Sequence, residues 1–91
     1  MIAPEELAAA VRAVLEQNGD YLSTRQVLER LPVRVRLVEQ YGSEQNALKE
    51  VKQSLMQLQG ELSFDFVPSG RKRKLIGTSV PEVTIVFRLR G

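Results

Sequence analysis

Leu22-Ser23-Thr24-Arg25-Gln26-Val27-Leu28-Glu29-Arg30-Leu31 carries the local signals of a short helix, and the neighbouring elements fall into order around it. Ser23 followed three residues later by Gln26 is a capping-box pair. The serine hydroxyl accepts from the backbone of residue 26, and the glutamine side chain accepts from the backbone N–H of residue 23. Leu22 before the cap and Val27 in the first turn fit the apolar pair that accompanies such a box. Pro32 disfavours helical geometry at Leu31, which confines this helix to about residues 24–31.

Working outward, the upstream segment reads as a helix over about 4–18. Leu7, Val11, Val14 and Leu15 recur at i, i+4, i+7 and i+8, and the alanines between them raise helix propensity. Pro4 suits the first helical position, Glu5 and Glu6 complement the positive end of the helix dipole, and Gly19 is a natural stop. Downstream, the segment 33–41 admits two readings. Val35 and Val38 among arginines suggest a strand, whereas Leu37, Val38 and Tyr41 fit a helical turn; Gly42 ends it in either case. Ser43 then caps a longer helix over about 43–59, in which Leu48, Val51, Leu55 and Leu58 form a stripe expected to face the core.

The remainder of the chain changes period. Leu62, Phe64 and Phe66 alternate with Ser63 and Asp65, and Val83, Ile85, Phe87 and Leu89 alternate with Thr84, Arg88 and Arg90. This predicts two half-buried strands, at about 61–67 and 82–90, with Phe64, Phe66 and Phe87 in the core. The fourteen residues from Pro68 to Pro81 read as the loop between them. The whole is expected to be one α+β domain spanning residues 1–91, with three to four helices followed by a two-stranded hairpin.

Composition narrows the chemistry. The 91 residues are 43% hydrophobic and 26% charged, the balance of a globular chain, and contain neither cysteine nor histidine. Disulfides, thiolate nucleophiles and Cys-based zinc sites are thereby excluded, and the commonest general base and metal ligand is missing. The serines have no histidine to activate them, and the carboxylates are scattered apart from Glu5-Glu6, so no enzyme, metal site or cofactor is expected. The first residues lack the basic and apolar runs of a targeting signal, and no apolar stretch reaches the ~18 residues of a membrane span, which predicts a cytoplasmic protein.

Charge is distributed unevenly. The net charge is +2, but residues 1–60 hold seven basic and eight acidic residues, against six and three in residues 61–91. Arg71-Lys72-Arg73-Lys74 concentrates the excess in the expected loop, where four cations between Gly70 and Gly77 can lie along a phosphate backbone. The alternative for such a run is a solvated hairpin tip that blunts aggregation.

Helix, short helix, longer helix and two strands joined by a basic loop resembles the winged helix-turn-helix DNA-binding family over nearly the whole chain. The stretch 22–31 and Val51-Lys52-Gln53-Ser54-Leu55-Met56-Gln57-Leu58, similar to the second half of a recognition helix, carry the resemblance. The separation between these two helices departs from it, since Pro32–Gly42 spans eleven residues where the family has a few. The resemblance implies that the 43–59 helix enters the major groove of double-stranded DNA while the wing follows phosphates or enters the minor groove.

With the Leu48–Leu58 stripe inward, ~100° per residue puts Asn46, Lys49, Glu50, Gln53 and Gln57 on the opposite face. Asn and Gln are suited to adenine edges and Lys to guanine acceptors or phosphate, whereas Glu50 repels phosphate. Asn46, Lys49, Gln53 and Gln57 are therefore the candidate base-reading residues, and Arg71, Lys72, Arg73 and Lys74 the candidate wing contacts. Arg34 and Arg36 form a second, smaller basic pair. The expected role is that of a small regulator or DNA-processing accessory factor, with a homodimer or a protein partner and no small-molecule substrate. The rivals are a winged-helix protein-interaction module using Pro32–Gly42 and the wing edge, and RNA binding through the same basic loop.

Overall fold

Four helices pack around an apolar centre from which a long β-hairpin extends. The computed structural model describes residues 1–75 and 77–90, except for the side chains of 69–75 and 78–81. The elements run α1 (Pro4–Asn18), β1 (Leu22–Ser23), α2 (Thr24–Arg30), α3 (Arg34–Tyr41), α4 (Glu44–Gln57), a 3₁₀ turn (Gln59–Glu61), β2 (Leu62–Leu75) and β3 (Thr78–Leu89). The fold is thus α+β.

The capping box closes as its sequence predicts. Gln26 N–H donates to Ser23 Oγ at 3.2 Å, and Ser23 N–H donates to Gln26 Oε1 at 2.9 Å. The ambiguous segment 33–41 is helical. Its Leu37 is fully buried, and Val33, Val38 and Tyr41 pack against the core, while Val35 with Arg34 and Arg36 faces solvent. That burial follows a helical face, where a strand would have alternated. Gly42 ends α3 at φ 86°, a left-handed conformation that costs glycine little. The inserted segment is therefore an additional helix, and the helix expected at 43–59 is the fourth.

Burial in α4 follows the predicted stripe, with Val51 and Leu55 sealed and Leu48 and Leu58 partly covered. Ala47 and Ser54 join the buried side. Leu15 from α1, Val27 and Leu28 from α2, Leu37 from α3 and Leu62 from β2 complete a core shared by all four helices and the base of the hairpin.

Two expectations about the strands are corrected. The expected hairpin is a three-stranded antiparallel sheet in the order β1-β3-β2, because Leu22 and Ser23 pair with Phe87 and Val86. A two-residue strand is too short to show a period. Nor is Pro68–Pro81 a loop: the ladder continues through Lys72↔Pro81, Arg73↔Val80, Lys74↔Ser79 and Leu75↔Thr78. A register shift between Pro68 and Lys72 accommodates Ser69, Gly70 and Arg71. The prolines are tolerated because β2 is an edge strand and because β1 covers β3 only at residues 86 and 87, leaving the edge beside Pro81 open.

Candidate functional site: a basic groove beside an apolar arm

The Ser43 hydroxyl accepts from Asn46 N–H at 3.1 Å and starts α4, which presents Asn46, Lys49, Gln53 and Gln57 to solvent as the sequence predicts. Two members of the expected face behave differently. Asn46 is exposed but donates its side-chain amide to the Tyr41 carbonyl at 2.9 Å, so this donor joins α4 to the end of α3. Glu50 lies on the flank of the helix and is half-buried.

The opposite flank of α4 borders the hairpin. Leu48, Lys49 and Lys52 of α4, Ser23, Thr24 and Arg25 at the start of α2, and Thr84, Ile85 and Phe87 of β3 line an open groove of about 500 Å³. Its apolar floor is formed by Leu48, Ile85 and Phe87, and three cations, Arg25, Lys49 and Lys52, rim it. Arg25 and Lys52 were missed by sequence reasoning. Lys52 stands one helical step (~100°) from buried Val51, but nothing local says which flank of α4 meets the hairpin. Arg25 joins it only through the packing of α2 against α4.

The smaller basic pair separates. Arg34 Nη2 and Arg25 Nη1 both lie 3.6 Å from Glu44 Oε1, so one carboxylate ties α2, α3 and α4 together and offsets part of the local charge. Arg36 lines a different recess with Met1, Ile2, Glu39 and Gln40. A further groove of about 620 Å³ contains Arg12, Arg88 and Arg90, but Glu16 and Glu61 share it, with Arg12 Nη2 2.7 Å from Glu61 Oε1 and the Arg88 guanidinium 5.1 Å from the Tyr21 ring. Two carboxylates thus stand against three guanidiniums there, whereas the three rim cations Arg25, Lys49 and Lys52 have one ion pair, that of Arg25 with Glu44, among the described residues. The side chains of the candidate wing residues Arg71, Lys72, Arg73 and Lys74 lie outside the described residues; their backbone belongs to β2 and not to a loop.

The aromatic residues depart most from expectation. Phe87 is half-buried and packs against the core, but Phe64 is 61% and Phe66 55% exposed. The pairs Leu62↔Leu89, Phe64↔Phe87, Phe66↔Ile85 and Pro68↔Val83 put these residues on one face of the sheet. That face is sealed at Leu62, where the helices reach it, and bare beyond, with Val83 54% and Ile85 40% exposed. The period-two pattern identifies a common face correctly; burial of the face requires a partner layer, and the helical body covers only its base.

No family model, curated protein or solved structure matches the chain. Among the described residues, no helix is long and apolar enough to cross a membrane.

Proposed function

We propose that this chain is a winged-helix domain that binds double-stranded DNA as a small regulator or DNA-processing accessory factor, with α4 in the major groove and the β2–β3 hairpin as its wing. The observation that carries this reading is the groove in which α4 and β3 converge with an excess of positive charge on its rim. The element order supports it, because β1 pairs with the last strand and holds the hairpin beside α4. In this reading Lys49, Lys52 and Arg25 contact phosphates or guanine acceptors, and Gln53 and Gln57 reach base edges. Asn46, with one amide hydrogen given to Tyr41, retains its oxygen and one N–H for a base. Arg71, Lys72, Arg73 and Lys74 supply further phosphate contacts along the hairpin, with Arg34 and Arg36 outside the groove.

An electrophoretic shift with random-sequence duplex at low and moderate salt tests this reading. A retarded complex that dissociates as salt rises is expected, since each neutralised phosphate releases counterions. Absence of a complex at low salt refutes it. The exposure of Phe64 and Phe66 favours a second reading, a protein-interaction module. An apolar protein interface responds little to ionic strength, so the salt dependence separates the two.

A further inference from the structure

We infer that the bare face of the hairpin is a stacking platform for unpaired nucleobases, so that the protein prefers duplex DNA carrying a single-stranded extension to blunt duplex. The inference rests on the nucleic-acid reading above and deepens it. Phe64 and Phe66 stand two residues apart on the same face, with ring centroids 6.2 Å apart and planes at 89°. Packed edge to face, the two rings leave flat aromatic surface open to solvent, as their exposures show. Ile85 and Val83 extend the apolar surface around them, and Ile85 and Phe87 run directly into the groove rimmed by Arg25, Lys49 and Lys52. Aromatic rings beside a cationic track are what a single strand requires, with bases stacking on the rings and phosphates following the charge.

Charge selects this occupant over a second copy of the chain. The face carries cations at its inner end, on the groove rim, and the run Arg71–Lys74 lies further out along the same hairpin. Pairing two such faces about a two-fold axis brings like charge onto like charge in either relative direction. A parallel arrangement sets rim on rim, and an antiparallel one sets each rim along the strand segment whose sequence is Arg71–Lys74. A polyanion with exposed bases matches both the apolar and the cationic parts. The carboxylates beside the platform residues in sequence, Asp65 and Glu82, alternate with them to the other face of the hairpin, where Asp65 accepts from Phe66 N–H at 2.8 Å, and Glu44 is held by Arg25 and Arg34.

The test compares a blunt duplex with the same duplex carrying a short thymidine tail, using the full chain and a Phe64→Ala/Phe66→Ala variant checked for an unchanged melting curve. The wild type is expected to bind the tailed probe about tenfold more tightly, and the variant to lose that preference while keeping its affinity for blunt duplex. Phe64→Trp, which introduces the sole tryptophan of the chain, is expected to retain the preference, with its emission quenched by the tailed probe and not by the blunt one. Equal wild-type affinity for both probes, with no quenching, overturns the platform and leaves duplex binding standing. An equal loss on both probes in the double variant overturns it too, because it makes the rings duplex wedges. If the wild type binds neither probe, both readings fail together. Dimerisation of the wild type that the double variant abolishes assigns the face to self-association and overturns the inference.

Discussion

In the helical body, Leu15, Leu28, Leu37 and Leu55 are fully buried; along the hairpin arm, Phe64, Phe66, Val83 and Ile85 are 40% or more exposed. Both regions show apolar residues at the period of their secondary structure. They differ in what lies opposite the apolar face. Each helix of the body meets other helices or the base of the sheet, whereas the arm passes beyond them with β3 as its inner strand and, among the described residues, no second layer over its apolar side. Periodicity reports which residues share a face, and whether that face is core depends on tertiary reach.

Single substitutions sharpen this contrast. Leu55→Ala is expected to have the largest effect, costing on the order of 2–5 kcal/mol because it opens a cavity where all four helices meet. A urea or thermal melt measures it, and a change within experimental error would mean that α4 is turned the other way. On the opposite side of the same helix, Gln53→Ala is expected to leave the melt unchanged and to erase about 1–3 kcal/mol of discrimination between a selected site and random duplex. Competition binding reads that difference, and a variant as selective as the wild type removes Gln53 from base reading. The smallest effect belongs to the arm. Phe64→Ala and Phe66→Ala should each shift folding stability by no more than about 0.5 kcal/mol, since neither ring is enclosed. A destabilisation comparable to that of Leu55→Ala would show that the arm is covered in solution and would end the distinction between the two regions.

Much of the body was legible in the sequence. Ser23 and Gln26 announced the start of α2, Gly19 and Gly42 marked helix ends, and the stripe of α4 identified Val51 and Leu55 as core. These signals are local, carried by residues a turn apart. The site was legible on the exposed face of α4 but not along its flank, because Lys52 and Arg25 meet Ile85 and Phe87 only after the hairpin has folded back beside the helices. The length of the arm is hidden from the sequence for the same reason. Pro68, Gly70 and Pro81 are loop residues by composition, yet the first two sit in an edge strand with a register shift and Pro81 in β3 beyond the reach of β1; the ladder runs on to Leu75 and Thr78, and Gly77 lies in the turn.

Whether cations from two separate elements converge on phosphate beside the arm is tested most directly by the slope of log binding constant against log salt. The measurement uses random duplex with the wild type and with an Arg25→Ala/Lys49→Ala/Lys52→Ala variant. All three side chains are exposed, so the fold should survive their removal. The variant is expected to bind more weakly to all sequences, with a slope flattened by about 0.9 for each phosphate it no longer neutralises. A variant that keeps the wild-type slope and affinity would contradict this, because the groove would then not be where the protein meets DNA.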